Sequence, residues 1–155
     1  MLTTLLCLVV TITDGDTITA RCGEPGAYEQ VKVRLAEIDA PESKQPFGQR
    51  SKQHLSDLCF DKLATIQPQS TDRYGRTVAR VTCAGVHANA EQVRAGMAWS
   101  YTQYARDPIF PQLEQQARAS HMGLWVDLGT GAEPVAPWEW RKQRKSTNVI
   151  GDAKK

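Results

Sequence analysis

The stretch from Val31 to Glu42, VKVRLAEIDAPE, constrains the fold most. Val31, Val33 and Leu35 alternate with Lys32, Arg34 and Ala36, the period of two that sends one set of side chains inward along a strand. The pattern breaks at Asp39-Ala40-Pro41-Glu42, because Pro41 has no amide hydrogen for a sheet ladder. Proline also biases Ala40 toward an extended conformation that can leave its carbonyl free. One cation and two carboxylates therefore gather at a strand end. Arg34 offers a planar fork suited to phosphate oxygens, Asp39 a hard oxygen for a metal, and Glu42 a carboxylate for proton transfer. A surface arginine followed by turn acids is the plainer explanation of this segment alone.

A hairpin precedes this strand. Asp14-Gly15 lies between apolar runs at 8–12 and 18–20, a turn signal because both residue types tolerate positive φ. The turn does not require Asp16, whose repulsion from Asp14 calls for a compensating cation. Residues 23–30 form a polar turn into the central strand. After a short loop, residues 47–60 read as a helix, with Phe47, Ser51, Leu55, Leu58 and Cys59 on one face and His54 off it, at the surface. Strands are expected at 63–66 and 78–81, joined by the turn Asp72-Arg73-Tyr74-Gly75-Arg76. That turn presents two arginines around an aromatic ring: Arg76 can clamp a phosphate, and Tyr74 can bond a phosphate or stack on a base. Asn89 is expected to cap a second helix, and a third is expected over about 112–122. Trp99, Tyr101 and Tyr104 lie between them.

With 155 residues the chain suits one domain, expected over 1–140, with 1–6 a possible leader remnant and 141–155 a basic, disordered tail. The last fifteen residues carry a net +5, leaving −3 for the rest, so overall charge does not identify a nucleic-acid binder. The apolar N-terminus is too short to span a membrane. Cys7 and Cys22 are equidistant from the Asp14-Gly15 turn and can face each other across a hairpin. Cys59 and Cys83 flank the next two strands and can also be neighbours. Two such disulfides fit an oxidising compartment, periplasmic or secreted; four buried thiols are the alternative.

Five strands with intervening helices fit an α+β fold, a five-stranded OB-type β-barrel with three α-helices. Together, Asp14-Gly15-Asp16-Thr17, Val33-Arg34-Leu35, Ile38-Asp39-Ala40-Pro41-Glu42 and Asp72-Arg73-Tyr74-Gly75-Arg76 resemble the staphylococcal nuclease (thermonuclease) family. Gly123-Leu124-Trp125 and Pro137-Trp138-Glu139-Trp140-Arg141 look like its bacterial, secreted or plasmid-borne branch. The resemblance implies a calcium-dependent nuclease that hydrolyses phosphodiester bonds of DNA and RNA and leaves 3′-phosphate ends. It implies Asp16, Asp39 and the Ala40 carbonyl as calcium ligands, and Arg34, Glu42 and Arg76 as catalytic groups. Tyr74, Arg73 and Tyr104 would contact substrate, with Tyr101 the alternative to Tyr104. The loop after Glu42 is short and Ala40 stands where the archetype has threonine. The expected protein is a monomer without a membrane partner. A catalytically inactive nuclease-like domain that binds nucleic acid or protein is the alternative function, and a single-strand-binding barrel is a further rival, which would not need the acids.

Overall fold

The computed structural model describes residues 3–153. In chain order it contains β1 (Leu5–Asp14), β2 (Thr17–Cys22), β3 (Glu29–Leu35), β4 (Ile38–Asp39), α1 (Gly48–Cys59), β5 (Leu63–Thr71) and β6 (Thr77–Cys83). Then follow β7 (Val86–His87), α2 (Ala88–Arg94), β8 (Trp99–Ser100), α3 (Ile109–Ala119), a 3-10 turn (Gly123–Trp125) and α4 (Pro137–Ala153).

The long strands close on themselves. β1 pairs with both β2 and β5, β2 with β3, and β5 with β6, all antiparallel; a parallel β3–β6 pairing seals the barrel. This is the expected five-stranded OB-type α+β architecture. Two irregularities in the β1–β2 register let β1 bend enough to serve both neighbours. Pro68 is tolerated inside β5 because the pairing with β1 ends at Ile66, so its missing amide hydrogen costs no ladder bond there. Inward residues of alternating strands, including Val9, Ile18, Val33, Leu35, Ile66 and Val81, are fully buried. Leu55 and Cys59 of α1, Val93 of α2, and Phe110 and Leu113 of α3 cap this core. A second cluster of Trp99, Leu124 and Trp125 receives Trp138 from α4.

Several expectations change. Among the described residues there are four α-helices, not three, and α3 begins earlier than expected, with Pro111 in its first turn where no amide hydrogen is needed. The expected basic tail begins inside α4: Arg141 is the fifth residue of that helix, and the backbone stays helical to Ala153. Lys154 and Lys155 of that tail lie outside the described residues, as do Met1 and Leu2 of the leader remnant; Leu5 and Leu6 of the latter belong to β1. Asn89 is not a cap. It sits inside α2, buried, and its side chain accepts from the Val81 amide and donates to the Ala36 and Ala79 carbonyls. These bonds extend the β6 ladder past the end of β3. His54 is not a bare surface residue, since its Nδ1 contacts the buried Gln92 amide group. Both disulfides form as expected: Cys7–Cys22 directly opposite across β1–β2, and Cys59–Cys83 between α1 and β6. No helix among the described residues is long and apolar enough to cross a membrane.

Candidate active site

One cleft of about 830 Å³ opens at the barrel end where β1 turns into β2 and β3 turns into β4. It is lined by Asp16, Arg34, Asp39, Ala40, Glu42, Arg73, Tyr74, Arg76, Tyr101, Tyr104 and Arg141, among others. Thus every sequence-predicted site residue borders a single space.

The register explains how. Thr17 lies opposite Arg34, so Asp16 at the hairpin tip stands beside the central strand, and its carbonyl accepts from the Leu35 amide at 2.8 Å. Asp16 is buried; its Oδ2 accepts from the Ala40 amide at 2.8 Å and its Oδ1 from the Thr17 hydroxyl at 2.9 Å. β4 places Asp39 against Trp99 of β8. The parallel pairing sets Arg34 beside Val78, two residues past Arg76, and so brings both arginines to one rim.

The turn carrying Asp16 is held from behind. Gly15 donates space rather than conformation: its φ is not positive, but α1 and the Ala40 side chain press against it. Its carbonyl accepts from Gln92 Nε2 at 2.7 Å, and Gln92 also donates to the Ser51 carbonyl at 3.1 Å. Ser51 in turn donates to the Met97 carbonyl at 2.7 Å. This buried polar brace was not expected from sequence.

Arg34 is only partly available. Its Nη1 donates to the carbonyls of Leu35 at 2.7 Å and Ile38 at 2.9 Å. Its Nη2 lies 3.3 Å from Asp39 Oδ1 and 3.4 Å from Asp16 Oδ2. It therefore shapes the β3–β4 turn and neutralises the acid pair while bordering the cleft. Burial pushes the Asp39 carboxyl up to about 6; the Arg141 hydrogen bond opposes this and the Asp16 charge reinforces it.

The β5–β6 turn presents the other rim. Asp72 accepts from the amides of Tyr74 and Arg76 and from Arg76 Nε at 2.7 Å. Desolvation pushes the Asp72 carboxyl up, but the Arg76 and Tyr74 hydrogen bonds outweigh it and hold the group below the usual carboxylate range. Arg76 is thus fixed through Nε while it lines the cleft. Tyr74 is exposed, with the guanidiniums of Arg73 and Arg76 5.0 and 5.4 Å from its ring centre. Across the cleft Tyr104 is exposed, whereas Tyr101 is stacked on Trp138, with ring centres 5.3 Å apart and planes 6° apart. Tyr104 meets Tyr101 edge-on with ring centres 4.9 Å apart and remains the more accessible ring on this side.

Sequence reasoning missed Arg141. Its Nη2 donates to Asp39 Oδ2 at 2.7 Å, and its Nη1 to Asp39 Oδ1 at 3.2 Å and Glu42 Oε1 at 2.9 Å. Burial pulls this guanidinium's pKa down, but the Asp39 contacts prevail and raise it. The available signal was Pro137 as a helix start, which puts Trp138 and Arg141 on one face. Among the described residues no three His, Cys, Asp or Glu side chains converge as a metal cluster; the acidic core is a pair, Asp16 and Asp39, with Glu42 turned to Arg141.

The chain is similar to known proteins along most of its length. The model of the staphylococcal nuclease homologue family matches residues 32–127. An uncharacterized endonuclease of Haemophilus influenzae is 48% identical over 139 residues, spanning 90% of this chain and 74% of its own length. An uncharacterized endonuclease of Escherichia coli is 41% identical over 137 residues, spanning 88% and 84%. A micrococcal nuclease of Shigella flexneri is 38% identical over 149 residues, spanning 89% and 81%.

Proposed function

The chain belongs to the staphylococcal nuclease family, and from that premise we propose that it is an active, calcium-dependent nuclease acting on DNA and RNA. It hydrolyses the phosphodiester bond on the 5′-oxygen side, leaving a 3′-phosphate and a 5′-hydroxyl. The observation that carries this reading is the lining of one cleft by Asp16, Asp39 and Glu42 together with Arg34 and Arg76. A barrel that only binds single strands has no use for three carboxylates facing an anionic backbone.

The donors fit calcium. Asp16 and Asp39 are buried hard-oxygen groups, and repulsion between them adds to the desolvation that raises Asp39. A dication relieves both costs, and a two-carboxylate set with the Ala40 carbonyl leaves coordination positions for water and substrate. Bound there, calcium supplies charge neutralisation at the phosphoryl oxygen and a site for water. Glu42 takes the proton of the attacking water as the new P–O bond forms, and the P–O5′ bond breaks with O5′ taking a proton from solvent water to leave as the 5′-hydroxyl. Arg76, through its terminal nitrogens, and Arg34, through the donors its turn contacts leave over, meet the negative charge that grows on the five-coordinate phosphorus oxygens. Tyr74 and Arg73 hold a neighbouring phosphate, and Tyr104 offers a face for a base. The two disulfides support action outside the cytoplasm, by a monomer in the periplasm or after secretion.

Digestion of single-stranded DNA with calcium, and then with a chelator, tests the reading beside Glu42→Gln and Arg76→Ala. Cleavage should need calcium, yield 3′-phosphate ends, and fall by about 10²–10³ in each variant while nucleotide binding persists in Glu42→Gln. Binding without cleavage by the unmodified protein would instead indicate an inactive binding domain.

A further inference from the structure

Asp39 is almost fully buried, and both of its carboxylate oxygens accept from one guanidinium, that of Arg141. The same Nη1 reaches Glu42, and Nη2 lies 3.3 Å from the Tyr101 hydroxyl. Packing delivers this cation. Trp138, three residues earlier on the same helical face, stacks on Tyr101 and meets Trp99 edge-on with ring centres 5.6 Å apart. Arg141 is therefore seated by the first turn of α4 and is not a loose surface side chain folded over by chance.

We propose that Arg141 is a further positioning residue of the active centre: an internal cation that holds Asp39 and Glu42 in the metal-free protein and competes with calcium for the Asp39 carboxylate. The proposal rests on the reading of Asp16 and Asp39 as calcium ligands. Calcium binds carboxylate oxygens at about 2.3–2.6 Å, and a guanidinium fork engaging both oxygens of one carboxylate uses the same lone pairs. Two cations cannot share them without facing each other directly. Of the two arginines on Asp39, Arg141 is the one free to leave. Its side chain is 38% exposed, against 14% for Arg34, which is also tied to two backbone carbonyls. Because one guanidinium bridges Asp39 and Glu42, its departure opens the metal site and releases the carboxylate assigned to the water in a single movement. Apparent calcium affinity is then reduced by the fraction of molecules in which Arg141 is seated.

Calorimetric titration of calcium into the full chain, without nucleic acid, tests this. Arg141→Gln should bind calcium about tenfold more tightly, the size expected for removing one charge-assisted contact. Arg141→Lys, which keeps the charge but not the fork, should fall between that variant and the unmodified protein. A purely structural role for Arg141 predicts weaker binding, the opposite sign. Unchanged or weaker affinity in both variants overturns the proposal. So does equal tightening in Lys142→Gln, which removes an exposed charge one residue along and leaves the fork in place. Asp39→Asn separates the two levels: loss of binding there keeps the ligand reading whatever Arg141 does, whereas unchanged binding sinks the ligand reading and the proposal with it.

Discussion

A methyl group added at Gly15 would lie 1.8 Å from the Ser51 hydroxyl oxygen, 2.8 Å from the Ser51 β-carbon and 3.0 Å from the Ala40 β-carbon. Ser51 is fully buried and bonded to the Met97 carbonyl, so it has little freedom to turn away. Gly15→Ala should therefore push the hairpin tip outward, cost about 1–3 kcal/mol, and separate Asp16 from Asp39. Denaturant unfolding reads the first effect and calcium titration the second; Ser51→Gly in the same chain should recover part of both. A fully stable Gly15→Ala protein with unchanged metal affinity would show that the brace does not position Asp16. At this scale the sequence singled out Asp16 for a physical reason, the need of a second carboxylate beyond the turn for a compensating cation, and Arg34 lies 3.4 Å from it. The sequence identified Gly15 for an unsound reason. The turn does not demand positive φ, and the need for glycine comes from a helix more than thirty residues away. Arg141 was illegible in the same way: its partner Asp39 is 102 residues distant, and local composition shows only a basic segment.

Among the elements, α2 does more than its length suggests. Asn89 satisfies the Val81 amide and the Ala36 carbonyl, which β3 has stopped too soon to reach. Asn89→Ala should strand these buried groups and cost about 2–4 kcal/mol, measured as a lowered denaturation midpoint. Asn89→Asp should do no better, since it keeps the acceptor for Val81 but sets a carboxylate against the Ala36 and Ala79 carbonyls. A loss under 0.5 kcal/mol, roughly the scale of neutral surface changes, would refute this account. His87, just ahead of α2, accepts at Nε2 from Arg80 Nε at 3.1 Å. Burial pushes the His87 pKa down, and the Arg80 charge adds to this against the opposing charges of Asp107, Glu37 and Glu91. The Phe110 ring meets it edge-on at 6.0 Å. A histidine depressed in the folded state binds more protons when unfolded. Its stabilisation is complete above the ordinary value near 6.5 and is lost as pH falls through the lower folded value. Melting temperatures between pH 7.5 and 5 should fall less steeply in His87→Gln than in the unmodified protein; parallel curves would remove His87 from the pH response. The alternating strands and the α1 face were legible because each pattern is local. The asparagine was misassigned because capping is its common use near a helix start, and the short β3 that recruits it is a property of the sheet.

At the scale of the whole molecule, barrel closure depends on contacts that no local pattern encodes. The parallel β3–β6 pairing joins strands separated by α1 and β5, and it alone brings Arg34 and Arg76 to one rim. Here only the ordered set of motifs, through family resemblance, made the architecture readable. The disulfides divide along the same line. Cys7–Cys22 follows from hairpin symmetry, whereas Cys59–Cys83 needs α1 to dock beside β6. Each bridge restricts the unfolded chain, across 15 and 24 residues respectively, and each should contribute about 3 kcal/mol. The second should matter more for function, because α1 also carries the Ser51 that buttresses the Asp16 turn. Cys59→Ser with Cys83→Ser should lower the melting temperature by roughly 10 °C, at 2–4 °C per kcal/mol for a chain of this size, and should weaken calcium binding. Cys7→Ser with Cys22→Ser should give a similar thermal loss with less effect on calcium, since that pair lies at the far end of β1 and β2 from the hairpin tip. Equal calcium affinities in the two double variants would show that the brace survives without its covalent tie, and that the second bridge serves stability alone.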